Sequence, residues 1–274
     1  MTRLSLRALT LATAVLLTGC ASTGGGSGPS TPAGTLDKIR ASKTVTLGYR
    51  DSSLPFSYVG PNKQPVGYSV DLCNAVVDDL RRELKLPDLQ PKWVPVTVET
   101  RVSAVMNGTV DIECGSTTNT LSRQEQVDFT LTTFITGASL LAMPGTDASG
   151  DLSGIRIAVI PGTTTEAVIR DVISRAGAAS RAQILAVKDH ADGLAALVNK
   201  TADVYASDRA ILIGLAMASP DPRQFALLDR FLSYEPYALM IRRGDPAFRL
   251  SVNRALARLY RSGDVLHIYA RWFG

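Results

Sequence analysis

The sequence predicts an α/β protein made of two doubly wound sheets, one per lobe, joined by two crossings of the chain. Three observations predict it. Short β-branched runs alternate with amphipathic helical stretches, the pattern of parallel sheets covered by helices. The frame Asn107-Gly108-Thr109-Val110-Asp111-Ile112 recurs 92 residues later as Asn199-Lys200-Thr201-Ala202-Asp203-Val204. In each copy a helix ends and a buried strand begins, so one lobe is echoed by a second. Two extended, β-favouring stretches, residues 133–141 and 231–238, flank the second lobe and are where the chain would leave the first lobe and return.

The elements follow in order. Arg3 and Arg7 precede an apolar run over residues 8–17, a charged start and a hydrophobic stretch too short to span a bilayer, which reads as an export signal. The run ends in Leu17-Thr18-Gly19-Cys20, which resembles the lipobox of bacterial lipoproteins. Cleavage there would make Cys20 the acylated first residue of the mature chain; the alternative is an ordinary signal peptide with a cysteine at that place by chance. Residues 21–35 are all Gly, Ser, Thr, Pro and Ala, a composition that buries nothing and reads as a tether. About 240 residues remain, enough for one large or two modest domains.

In the first lobe, strand 44–49 leads to helix 68–86, whose Leu72, Cys73, Val76, Val77, Leu80 and Leu84 fall on one face. Strand 92–96, helix 99–106 and strand 110–114 follow. The second lobe repeats the alternation with strand 156–160, helix 166–176, strand 184–187, helix 191–199 and strand 203–206. Helices 246–261 and 264–272 return to the first lobe. The expected boundaries are therefore a signal over 1–19, a lipidated tether over 20–35, lobe one over 36–134 plus 239–274, and lobe two over 139–232. Two crossings make a hinge that can close on a ligand.

Composition excludes several classes. A formal charge of +4, with Arg3 and Arg7 leaving in the signal, and no aromatic-basic alternation give no footprint for nucleic acid. His190 and His267 stand far apart, so no metal-ligand spacing exists, and neither a Ser-His-Asp order nor paired catalytic carboxylates are present. No cofactor is implied. With Cys20 acylated, Cys73 and Cys114 remain as a pair in an oxidising compartment, either bonded or as two buried thiols.

Open parallel sheets bind ligands beyond the carboxyl ends of their strands. There the chain carries Ser116, Thr117 and Thr118 in one lobe, and Ser207 and Asp208 in the other. Cys114 through Arg123 combines a strand end, several hydroxyls and an arginine able to fork a carboxylate. Pro161-Gly162-Thr163-Thr164-Thr165-Glu166 joins a strand to a helix. It is either an anion site of free N–H groups or simply a capped helix start, and it lacks the lysine of a nucleotide loop. Read singly, Arg50 and Arg101 are surface arginines and His190 a cap neighbour. Phe56 and Tyr58 either flank a ligand or pack in the core, the usual fate of aromatics; Trp272 and Phe273 are core or terminal anchors.

Gly67-Tyr68-Ser69-Val70-Asp71-Leu72, Asn107-Gly108-Thr109-Val110-Asp111, Gly115-Ser116-Thr117-Thr118, Arg123 and Pro161-Gly162-Thr163-Thr164 resemble the polar amino-acid family of periplasmic binding proteins serving ABC transporters. The resemblance runs from about residue 36 to 273. Gly48-Tyr49-Arg50-Asp51-Ser52-Ser53, Glu113 through Asn119 and Lys188-Asp189-His190 are similar to its glutamate/aspartate-binding branch. It implies a type II periplasmic-binding-protein-like fold and a monomer that delivers L-glutamate or L-aspartate to a membrane permease from outside the cytoplasm. It also implies roles. Arg123, helped by Thr118 and the Thr164 end of its helix, would hold the α-carboxylate. Asp208 and the Ser116 carbonyl would take the α-ammonium. Arg50, Arg101 and His190 would surround the side-chain carboxylate, with Thr163 on the same wall.

Three arginines against one aspartate leave a positive excess that a diacid with one ammonium complements. Val98 stands where close relatives carry a serine for the side-chain carboxylate, so the order of glutamate and aspartate stays open. Two rival functions remain. One is a sensor component that delivers its closed form to a signalling receptor. The other is a cyclic-acid dehydratase on the same fold, for which Glu113 would be the acid, although Ile112 and Cys114 beside it favour a structural role.

Overall fold

The computed structural model describes residues 34–148, 150–177 and 180–274. The expected signal over 1–19, acylated Cys20 and the tether as far as residue 33 lie outside the described residues. In chain order the first lobe holds α1 (Thr35–Ser42), β1 (Thr44–Tyr49), a small sheet of β2 (Ser52–Ser53), β3 (Ser57–Val59) and β4 (Pro65–Val66), α2 (Tyr68–Leu84), β5 (Gln90–Pro95), α3 (Arg101–Met106), β6 (Ile112–Glu113), α4 (Leu121–Gln124) and β7 (Val127–Thr136). The second holds β8 (Ala138–Ala142), β9 (Arg156–Val159), α5 (Thr164–Ala176), β10 (Gln183–Ala186), α6 (His190–Val198), β11 (Val204–Asp208), α7 (Arg209–Ala218) and β12 (Ala226–Leu227). Strand β13 (Glu235–Arg242) then returns to the first lobe, followed by α8 (Pro246–Ser262) and α9 (Asp264–Phe273).

The two large sheets run β5-β1-β6-β13-β7 and β10-β9-β11-β8-β12. They are mixed: the strands read from the alternation pair parallel, and the crossing segments add antiparallel strands to them. The strands separated by helices, β5-β1-β6 and β10-β9-β11, are parallel. Strand β13 pairs antiparallel with β6 and β7, and β8 with β11 and β12. The reason is geometric: a chain that goes out along one strand and comes back along its neighbour reverses direction, whereas parallel neighbours need a helical crossover. The outward passage turns from β7 into β8 at Gly137, where a Cβ would stand 2.3 Å from the Ser233 carbonyl oxygen on the returning segment. Only glycine lets the two passages lie so close.

Helix α2 lays Cys73, Val76, Val77 and Leu80 against β1 and against Phe248, Val252 and Leu256 of α8, so the C-terminal helices cover the first lobe. The second lobe centres on Leu140, Ile157, Val159, Ile169 and Val204. Every residue of β8 and β11 is buried, as expected of central strands covered on both faces. A further cluster takes Phe56, Tyr68 and Leu72 from the first lobe and Leu141, Leu197, Ile211 and Leu215 from the second. Phe56 is fully buried among Tyr68, Phe134, Tyr237 and Phe273, and Tyr58 lies edge-on to Trp272, whose Nε1 donates to Asp71. These aromatics pack the core.

Thr35, at the end of the stretch read as tether, begins α1. It is buried, and its N–H reaches Asp245 Oδ2 at 2.7 Å. Cys73 and Cys114, left open between bond and free thiols, form a disulfide with a Cα separation of 6.2 Å. The bond ties α2 to the residue that follows β6, next to the hydroxyl-rich Gly115–Thr118 turn.

Candidate ligand-binding cleft

Strand ends place the polar groups. β6 ends at Glu113, so Ser116, Thr117 and Thr118 follow beyond it. β11 ends in Ser207 and Asp208, and the β9–α5 and β10–α6 connections deliver Thr163, Thr164 and His190. One cavity of about 20 Å³ brings together Arg50, Arg101, Ser116, Thr118, Arg123, Thr163, Thr164, His190 and Asp208. Thus all nine residues singled out in the sequence share its wall, with Val98, Thr165, Ser207 and Ile211 beside them. Ser207 had a signal, its place after the echoed frame. A larger chamber of about 590 Å³ opens outward and shares only Arg50 and Val98 with the inner cavity. The inner space holds about one water, so an amino acid enters only when the lobes part.

Each group is held by local chemistry. Arg123 lies in α4, whose N-cap Thr120 accepts from its N–H, and its Nη1 donates to the Thr118 carbonyl at 2.8 Å. Arg101 Nη1 donates to Thr117 Oγ1 at 2.8 Å, and that hydroxyl donates on to Glu113 Oε2 at 2.8 Å. Thr163 caps α5 by accepting from the Glu166 N–H at 3.1 Å, while the Glu166 carboxylate accepts from the Gly162 N–H at 2.8 Å, a reciprocal arrangement that fixes the helix start. His190 Nδ1 lies 2.6 Å from the Tyr205 hydroxyl. Tyr205 fits there because Gly193 has no side chain; a Cβ would fall 2.3 Å from its ring.

Burial governs the charges. It pulls Arg50 down to about 10, with Arg101 adding repulsion and Glu113 opposing it. It pulls Arg123 to about 10 in the same way, and lowers Arg101. His190, buried beside Arg50 and Arg101, is held down at about 3 and is therefore neutral. Asp208 is pushed up to about 7, first by burial, against the bond it accepts from the Tyr237 hydroxyl and with Glu235 adding to the rise. Three buried polar atoms of this cluster have no hydrogen-bond partner: Arg101 Nε, Glu113 Oε1 and Asp208 Oδ1.

The cluster holds more carboxyl groups than the single aspartate counted in the sequence. Glu113, buried, acts on all three arginines and Glu235, also buried, on Arg123, so with Asp208 three carboxyl groups bear on the guanidiniums where one had been counted. Glu113 stands behind the cavity wall, held by Thr117, and a Cβ on Gly115 would strike its Oε1 at 2.1 Å. Glu235 gave no signal; its segment 233–236 reads as plain extended chain. Among the described residues no cluster of metal-ligating side chains is found, and no helix is long and apolar enough to cross a membrane.

Residues 45–274 match the bacterial extracellular solute-binding proteins, family 3. An L-glutamate/L-aspartate-binding protein of Pseudomonas aeruginosa is 40% identical over 244 residues, covering 88% of this chain and 80% of its own. A glutamate/aspartate import solute-binding protein of Salmonella typhimurium is 36% identical, covering 87% and 79%. Among solved structures, the ancestral amino acid-binding protein described as a precursor of cyclohexadienyl dehydratase superposes with a TM-score of 0.73 at 26% identity, covering 88% of this chain and all of that one.

Proposed function

The chain belongs to the bacterial extracellular solute-binding proteins of family 3, and we propose that it captures L-glutamate or L-aspartate in the interlobe cleft for an ABC importer. The observation that carries this reading is the meeting of Arg50, Arg101 and Arg123 with Asp208 in one cavity walled by both lobes, with Asp208 Oδ1 buried and unpartnered. A buried carboxylate oxygen without a donor is costly unless a ligand ammonium supplies one. The relatives named above bear the same ligands in their descriptions.

Arg123 takes the α-carboxylate and Asp208 the α-ammonium, with the Ser116 carbonyl. Arg50, Arg101 and His190 face the side-chain carboxylate. His190 Nδ1 lies 2.6 Å from the Tyr205 hydroxyl; we assign the hydroxyl as donor, the tautomer in which the neutral ring keeps its proton on Nε2 and offers it to an anion. Thr163 and Thr164 bring the start of α5 to the same wall. Ligand settles on one lobe, the lobes close about β7–β8 and the return into β13, and the closed form docks on the permease; closure reflects tighter binding by the closed state. We further assign a lipid anchor at Cys20, a monomer, lobes divided at residues 36–134 plus 239–274 and 139–232, and no catalytic step, since Glu113 is engaged with Thr117 outside the cavity wall.

Titration calorimetry of protein refolded free of carried-over ligand tests the reading against glutamate, aspartate, glutamine, histidine and arginine. One-to-one binding of an acidic amino acid, with a smaller radius of gyration in solution at saturation, is expected. Silence toward both acids, or preference for arginine, overturns it.

A further inference from the structure

Glu235 opens the returning strand β13 and is 2% exposed. Hydroxyl groups surround its carboxylate. Oε2 accepts from Thr118 Oγ1 at 2.6 Å and from Thr164 Oγ1 at 2.7 Å, and Oε1 accepts from Ser233 Oγ. Thr118 belongs to the first lobe, where it bridges to Tyr237, and Thr164 begins α5 of the second. Both threonines line the ligand cavity, and their oxygens stand 3.5 Å apart. One carboxylate oxygen on the hinge strand therefore collects a hydroxyl proton from each lobe.

That has a chemical consequence at the cavity wall. A hydroxyl owns one proton and two lone pairs, and an ionised carboxylate only accepts. Once their protons point at Glu235, Thr118 Oγ1 and Thr164 Oγ1 present only lone pairs to the cavity. Such oxygens suit an N–H group and repel a carboxylate. Any help the two threonines give a ligand carboxylate then comes from backbone N–H groups, which Glu235 leaves free.

We propose that Glu235 is a positioning residue of this site: by taking the protons of Thr118 and Thr164 it fixes both hydroxyls as acceptors and makes the cleft select an amino acid over the same acid without its amino group. The proposal rests on the acidic amino-acid reading only for its choice of probe. A carboxylate with three hydroxyl donors is well satisfied though buried, so the arrangement does not depend on the arginines.

The test compares L-glutamate with glutarate, which has the same two carboxylates and no amino group, by calorimetry or displacement on the full protein. Glu235→Ala frees both hydroxyl protons. It is expected to weaken L-glutamate by about tenfold or more while glutarate holds or tightens, so that the ratio of the two Kd values collapses by at least that factor. Glu235→Gln should restore the wild-type ratio, because its carbonyl can accept from both threonines while its amide donates to Ser233 Oγ. Equal losses for both ligands in Glu235→Ala, the mark of a scaffold defect, overturn the proposal, as does an unchanged ratio. Should Glu235→Ala not fold, Thr118→Val decides: loss confined to L-glutamate supports an acceptor hydroxyl, and equal loss of glutarate refutes it. A wild type that binds neither L-glutamate nor L-aspartate overturns the ligand reading alone, and the ratio is then read on the amino acid that does bind and its des-amino counterpart.

Discussion

Asp208→Asn should make the protein more stable and less able to bind, and the size of the first effect should depend on pH. Asp208 is buried at the end of β11, with Oδ2 accepting from Tyr237 and Oδ1 accepting from nothing. Its pKa rises from the ordinary 3.8 to about 7. A group raised in the folded state contributes stability that is complete below its unfolded pKa and is lost as pH climbs through the folded one. The window is therefore pH 4 to 7. A rise from 3.8 to about 7, at about 1.36 kcal/mol per pH unit, sets the cost of ionised Asp208 at no more than about 4 kcal/mol above pH 7. Asparagine keeps the shape, accepts from Tyr237 through its carbonyl, and has no charge to desolvate. Melting of both proteins, refolded free of ligand, should show the variant ahead by several degrees at pH 8 and nearly level at pH 4. Binding should move the other way, weakening by about 1.5–3 kcal/mol because a charge-assisted bond to the ammonium is gone. Wild-type affinity should itself fall below about pH 7, where capture must expel the Asp208 proton, and the variant should not follow. Parallel pH profiles for the two proteins, or wild-type affinity in the variant, would refute the reasoning.

Two further predictions concern the arginines of the cleft and the first-lobe disulfide. Arg123→Ala should abolish binding of every amino acid, whereas Arg50→Ala should mainly erase the preference for acidic ones, read from Kd across the five-ligand panel; equal, mild effects would sink the role assignment. Replacing Cys73 and Cys114 together by alanine opens a link spanning 41 residues and should lower unfolding free energy by up to about 4 kcal/mol. Urea titration measures the loss, and a reducing agent should reproduce it in the wild type and leave the variant unmoved.

How much was legible in the sequence follows from the range of the interactions involved. Helix α2 announced itself through Leu72, Cys73, Val76, Val77 and Leu80, because a 17-residue helix half sunk in a core writes its period into the chain. Helix α7 did not. Its Ile211-Leu212-Ile213-Gly214-Leu215 run is apolar around most of its circumference, since one side packs between the lobes while Ile213 and Met217 stay exposed, and such a run has no period to read. The two- and three-residue strands β2, β3 and β4 are shorter than any alternation can be. Helix α1, eight residues long, follows a Gly- and Ser-rich stretch and is secured by Asp245, 210 residues away.

The nine residues that line the inner cavity could be picked out because strand ends in open α/β sheets are where side chains meet a ligand, and their types matched a family pattern. Glu235 could not, and the physical reason is the same one that makes it interesting. Its role is defined by hydroxyls 117 and 71 residues away, on two lobes that meet only after the chain has crossed twice. Glu113 was visible as a residue but not as a charge facing the arginines. Counting charges along the chain therefore overstated the positive excess. In the proposed reading the arrangement of those charges selects the ligand: Glu113 is bound to Thr117 and, though bare at Oε1, does not line the cavity, Glu235 is saturated by hydroxyls, and Asp208, its pKa raised by burial, lines the cavity with its bare oxygen. Of the three, only Asp208 can improve its own solvation by taking a ligand ammonium, so the least stable charge in the empty cleft is also the one that binding relieves.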